Sequence, residues 1–212
     1  MDALTMSVDA TQRTALLEWS VASAALPGEA RSGDGHYVRN FLGGALVAAV
    51  DGIGHGDEAA VAAKLAVSIL DAHPQDHVIS LFRRCHEGLL KTRGVVMSVA
   101  SFSGSLMTWM GVGNLEGILL RAQPGVVPAQ ETLLLRGGVV GYQLPNLQAA
   151  VVPVSRGDTL VFATDGVRSG FADGLHASDP PSQIASQILA RFKKGTDDAL
   201  VLVARYVGGG AP

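Results

Sequence analysis

Between Gly94 and Gly166 the chain is cut into six short apolar runs, VVMSVASF, SLMTWMGVGN, EGILLRA, TLLLR, AAVVPV and TLVFATDG, separated by turn-forming residues. Runs this short leave room for strands and tight turns. They do not leave room for the strand–helix alternation of a parallel, doubly wound sheet. On either side of this β-rich centre the period changes. DEAAVAAKLAVSILDAH carries small and apolar residues at helical spacing, with Asp57 and Glu58 in the first turn, where the macrodipole favours acids. PQDHVISLFRRCHEGLLKTR opens at Pro74 and gathers Val78, Leu81, Phe82, Cys85 and Leu89 on one helical face. SQIASQILARFKK predicts a third amphipathic helix, and ALVLVARYV a last strand. Before the first helix, LLEWSVASAAL (16–26) and FLGGALVAAV read as strands, with PGEARSGDGHYV as the loop between them. The whole predicts an α+β fold: two mostly antiparallel β-sheets in a sandwich flanked by helices, an αββα layering.

The 212 residues suffice for one domain with a substantial core, expected over 15–207 between a loose segment (1–14) and a frayed tail (208–212). Hydrophobic residues make up 48% and charged residues 17%, the composition of a folded chain. A formal net charge of −3 argues against nucleic-acid binding driven by bulk positive charge. No uninterrupted apolar run is long enough to span a bilayer. MDALTMSVDATQR has no basic segment leading into an apolar one, so no secretory signal is expected. The single cysteine, Cys85, has no partner for an internal disulfide, and a reducing, cytoplasmic setting is expected. Its setting in an amphipathic helix makes it a core residue rather than a nucleophile.

Acidic residues recur at strand junctions. Asp34 lies in RSGDGHY before a strand, Asp51 ends a strand in AVDGIGHG, Asp165 ends another in FATDGV, and Asp197 and Asp198 precede the last strand in GTDDAL. An isolated Asp-Gly is usually a turn, because both residues tolerate unusual backbone angles. The combination is less ordinary. A strand holds its terminal carboxylate rigidly, and the following glycine lets the backbone turn while leaving its carbonyl accessible. Carboxylates gathered at one end of a sandwich repel one another unless a cation neutralises them. Hard oxygen donors without cysteine suit Mg²⁺ or Mn²⁺.

The order SGDGHYV, AVDGIGHG, RRCHEGLLKTRGVVMSV, GVGNLEGILL, GGVVGYQL, RGDTLVFATDGV and DDALVLVARY resembles the metal-dependent serine/threonine phosphatases of the type 2C class. The likeness is to the bacterial branch that contains SpoIIE, RsbU and RsbX, is strongest toward RsbX, and covers roughly residues 20 to 207. The resemblance implies a β-sandwich flanked by helices with a two-ion Mn²⁺ or Mg²⁺ site at one end. It implies that Asp51 bridges both ions, that the Gly52 carbonyl binds one, and that Asp165 and Asp197 complete the other's shell. Asp34 would bind metal through water or orient the attacking water, and Asp198 would support the ligands from behind. The substrates it implies are phosphorylated STAS-domain proteins of a stressosome, whose dephosphorylation resets a stress response. Neither a nucleic acid nor a membrane is expected as partner.

The chain also departs from the family's pattern. Ile53 stands where many eukaryotic relatives carry a histidine after the bridging Asp-Gly, so His55 is a candidate for that part, with a plain turn as the alternative. Arg31 is a candidate for gripping the substrate phosphate, with a solvated loop as the alternative. Asn114 is expected to stabilise a tight turn. A pseudophosphatase that binds phosphoproteins without turnover is the competing function, although a docking surface has no need of clustered carboxylates. A dinucleotide enzyme built on DGIGHG is disfavoured: its glycines are spaced G-x-G-x-G, and no GKS or GKT is present.

Overall fold

Phe41, Leu42, Gly43 and Gly44 turn the chain where the sequence predicts one continuous strand. Gly43 sits at φ +84°, a left-handed conformation that suits glycine, and it closes a two-residue hairpin in which Phe41 faces Gly44. The computed structural model describes residues 16–29 and 31–208. The expected loose segment 1–14 and nearly all of the expected tail lie outside the described residues.

Eleven strands and three helices follow in chain order: β1 (Leu17–Ala24), β2 (Asp34–Phe41), β3 (Gly44–Gly52), α1 (Asp57–Ala72), α2 (Val78–Leu89), β4 (Val95–Ser103), β5 (Leu106–Val112), β6 (Glu116–Leu120), β7 (Gln130–Thr132), β8 (Leu135–Arg136), β9 (Ala150–Pro153), β10 (Thr159–Ala163), α3 (Pro181–Phe192) and β11 (Ala199–Tyr206). Three details differ from the sequence reading. DGHYV belongs to β2 rather than to a loop, because it pairs with β3 along its whole length. TLLLR divides between β7 and β8, which join different sheets. Helix α2 starts at Val78, capped by His77, whose ring nitrogen Nδ1 accepts from the Ile79 amide at 3.3 Å, rather than at Pro74.

The strands form two sheets, β1-β11-β10-β6-β7 and β2-β3-β4-β5-β8, with β9 also on β5. All pairings are antiparallel except β5 with β8. Apolar side chains alternate between two faces along the strands. One set, including Val47, Phe102, Trp109, Phe162 and Leu202, packs between the sheets. On the outside of the β3 sheet, Leu46, Val50 and Met97 meet Leu81, Phe82, Cys85 and Leu89 of α2 and the alanine face of α1. On the outside of the β11 sheet, Val161 and Val201 meet Ile184 and Ile188 of α3. These three apolar layers make the four-layer αββα arrangement. Burial pushes the Cys85 thiol up to about 12, which keeps it protonated and inert.

The register fixes which strand ends share a pole. Asp34 lies opposite Asp51, Ala24 opposite Ala199, and Ala163 opposite Val201. The start of β2, the end of β3, the end of β10 and the start of β11 therefore meet at one end of the sandwich. Phe162, one residue before the end of β10, is fully buried in the central layer. Its truncation in Phe162→Ala is expected to cost about 3–5 kcal/mol, measured as a lower urea midpoint with an unchanged slope.

Candidate functional site

The carboxylates of the acidic pole stand at strand ends, and Asp34, Asp165 and Asp198 are each held by a contact from a distant segment. Asp34 and Asp51 are direct cross-strand partners on β2 and β3, an arrangement that is unfavourable for two like charges. The Thr164 hydroxyl donates to Asp34 Oδ2 at 2.8 Å, and Thr164 Oγ1 in turn accepts from the Leu200 amide at 2.8 Å. Asn114 Nδ2 donates to Asp165 Oδ2 at 2.8 Å. The Asp197 carboxylate accepts from the Asp198 amide at 2.9 Å. Asp198 itself is buried and is occupied on both oxygens, accepting from the Leu26 amide at 2.8 Å and the Gly33 amide at 2.6 Å. It braces the loop that leads into Asp34.

Two glycines of the site are required by close packing rather than by an unusual backbone angle. A Cβ on Gly52 would collide with the backbone of Ala59 in α1, and one on Gly166 would collide with the Asp198 carbonyl. Neither glycine has a positive φ. The strand ends thus press against α1 and β11 with no side chain between them, and this draws Asp51 and Asp165 toward the other acids. The Gly52 amide also donates to the Gly33 carbonyl at 3.0 Å, which ties the two loops together.

Electrostatics records this convergence. Burial, then Asp51, then Asp198 and Asp165 hold the Asp34 carboxyl well above its ordinary range, against the hydrogen bond from Thr164. Burial, then Asp165, Asp197 and Asp198 push Asp51 up to about 8. Among the described residues, every charged group acting on these two is another carboxylate. The pole therefore lacks a counter-charge, and its donors are the hard oxygens that suit Mg²⁺ or Mn²⁺. Among the described residues no three His, Cys, Asp or Glu side chains close around one point as a ready-made cage. Mg²⁺ does not demand one, since it keeps several waters and is held by one or two carboxylates. The donor set fits.

The remaining candidates have other partners. Arg31 pairs with Asp57 at 3.5 Å, both exposed, and His55 Nδ1 lies 2.8 Å from Glu29 Oε1. Neither contributes to the shifts of Asp34 or Asp51. Thr164 and the amide of Asn114 are the positioning groups that sequence reasoning missed. Asn114 does more than shape a turn, because it holds Asp165. The only sequence signals for the two residues were their places beside Asp165 in ATDG and at the end of GVGN.

A carboxyl whose folded value is raised binds its proton more readily in the folded chain than in the unfolded one. Stability from this source is present below the ordinary carboxylate value of about 4 and is lost as pH rises toward the folded value. In chelator, the unfolding midpoint is expected to fall from about pH 5 to about 8, less steeply in Asp51→Asn, as followed by thermal denaturation. A flat profile in the unmodified chain would contradict the charge arrangement described.

The family model for stage II sporulation protein E (SpoIIE) matches residues 43–207. No curated protein matches the chain. Among solved structures, a chain from work on the bacterial stressosome as a modular system adapted to control secondary messenger signalling is 28% identical, with a TM-score of 0.80 over 89% of this chain and 99% of that one. RsbX in complex with magnesium is 17% identical, with a TM-score of 0.81 over 92% of this chain and 98% of its own. The catalytic domain of the serine/threonine phosphatase PstP with two manganese ions is 18% identical, with a TM-score of 0.64 over 91% of this chain and 99% of its own.

Proposed function

The chain belongs to the SpoIIE family, the bacterial branch of the type 2C protein serine/threonine phosphatases, and on that premise we propose that its acidic pole hydrolyses phosphoserine and phosphothreonine on STAS-domain proteins of a stressosome. The observation that carries this reading is that Asp34 and Asp51, both half-buried, have only carboxylates as charged neighbours among the described residues. Divalent cations, when bound, supply a water activated for in-line attack and neutralise charge developing on phosphorus. Asp51, the Gly52 carbonyl, Asp165 and Asp197 would hold two such ions. Asp34, fixed by Thr164, would orient the attacking water. Asn114 keeps Asp165 turned toward the pole, and Asp198 keeps the loop before Asp34 in register. Cys85 is buried away from solvent, so no covalent cysteine intermediate is required.

The substrate class rests on the likeness to a stressosome chain and to RsbX, and dephosphorylation there would reset a stress signal. The reading takes residues 15–207 as one phosphatase domain working in the cytoplasm, in keeping with a sequence that has a single cysteine. No helix among the described residues is long and apolar enough to cross a membrane.

Phosphate release from a phosphorylated STAS-domain protein is expected with Mn²⁺ or Mg²⁺ and is expected to stop with chelator. In Asp51→Asn it is expected to fall to the chelated background while circular dichroism stays unchanged. Binding of the phosphoprotein with no phosphate release in a single turnover would establish the non-catalytic alternative instead. Asn114→Ala is expected to lower Mn²⁺ affinity about 10–100-fold, measured by calorimetry, because it removes the group that orients a ligand.

A further inference from the structure

Beside the acidic pole lies a surface that the hydrolytic chemistry does not use. The Ile53 amide, two residues beyond Asp51, donates to the Gly94 carbonyl at 3.1 Å, which joins the site loop to the turn between α2 and β4. The turn at 139–142 stacks against the same point. Val95 and Val140 exchange backbone hydrogen bonds at 2.9 and 2.8 Å, and the Gly141 amide donates to His86 Nδ1 of α2 at 3.1 Å. Gly141 packs so closely on Leu89 that a Cβ there would approach the Leu89 Cβ to 2.7 Å.

This scaffold displays large apolar side chains to water: Tyr142 is 81% exposed, Leu90 60%, Val61 55% and Ile53 36%. A depression of about 360 Å³ adjoins them, lined by Asp57, Glu58, Val61, Lys91, Thr92 and Arg93. Arg93 lies across Gly54 of the site loop, with Nη1 2.7 Å from where a Cβ would stand, and pairs with Glu58. A cluster of exposed apolar groups with a rim of mixed charge, Asp57 and Glu58 beside Lys91 and Arg93, marks an interaction surface.

We propose that Ile53, Val61, Leu90 and Tyr142, edged by Lys91 and Arg93, form the surface on which the folded phosphoprotein substrate docks. Its place beside the acidic pole selects this occupant. The patch is continuous with the acidic pole through the Ile53–Gly94 hydrogen bond, so a protein seated on it presents its phosphoresidue at Asp51. Lys91 and Arg93, standing beside Asp57 and Glu58, give the patch a polar rim of both signs around its apolar centre. The carboxylates then act on the phosphoryl group, and the patch selects which protein delivers it. This inference rests on the phosphatase reading above.

The test compares Leu90→Asp, Tyr142→Ala and Lys91→Glu with the unmodified chain on two substrates, a phosphorylated STAS-domain protein and p-nitrophenyl phosphate, in Mn²⁺. The expected result is a KM for the phosphoprotein raised about tenfold or more, with kcat/KM for p-nitrophenyl phosphate within about twofold. Unchanged phosphoprotein kinetics in all three variants would overturn the proposal, and so would an equal fall on both substrates, because the patch would then serve folding or chemistry rather than docking. A second measurement reads docking without turnover. Binding of the fluorescently labelled phosphoprotein in chelator, followed by anisotropy, is expected to weaken in the same variants, and equal binding would overturn the proposal. If the unmodified chain binds the phosphoprotein through this patch and releases no phosphate from either substrate, the phosphatase reading fails while the docking surface stands.

Discussion

Like-charge repulsion among half-buried carboxylates is the constraint to which the rest of the structure answers. Asp34 and Asp51 face each other across a strand pair, and Asp165, Asp197 and Asp198 stand close enough to raise the proton affinity of one or both. An arrangement of this kind opposes folding at neutral pH, and a sandwich could avoid it by placing amides or hydroxyls at its strand ends. Its cost makes sense where a positive charge is meant to arrive. The resulting requirement is tight positioning, because a loose cluster would relieve its own repulsion by splaying apart.

The fold supplies that positioning by backbone packing and by hydrogen bonds from distant segments. Gly52 rests against α1 and Gly166 against β11 with no room for a side chain, so the two strand ends cannot retreat. Thr164 joins β11 to Asp34 through two hydrogen bonds, Asn114 restrains Asp165, and Asp198 spans to Leu26 and Gly33. Each of these side-chain hydrogen bonds joins residues far apart along the chain, which makes the pole a product of the whole sandwich. The three apolar layers provide the rigid frame behind it.

Much of this was legible in the residues, for identifiable reasons. The buried face of α2 follows directly from its 3.6-residue period, and all five residues assigned to it are buried. The layered α+β sandwich follows from short alternating runs between amphipathic helices, and the acidic strand ends from the Asp-Gly pairs. The hairpin at Leu42 and Gly43 was less visible, because FLGGALVAAV is apolar on both sides of its turn. The division of TLLLR between sheets depends on tertiary pairing that a local pattern does not contain. The same limit hid the supporting groups. Thr164 and Asn114 look like ordinary turn residues until the fold brings them to Asp34 and Asp165. The need for glycine at 52 and 166 was visible, but its cause was not: a neighbouring backbone, rather than a turn, occupies the space.

Membership of the SpoIIE family and the geometry of the pole converge on one chemistry, in which the protein contributes fixed oxygen donors and divalent ions contribute the charge that draws in a phosphate. The negative mouth after DGIGHG is consistent with that division of labour. The most direct test is anomalous scattering from a crystal soaked in Mn²⁺. The account expects ion peaks at about 2 Å from the Asp51 carboxylate, with Asp165 or Asp197 on the far side of at least one of them. Manganese found only at other surface acids, with none beside Asp51 at saturating concentration, would contradict it.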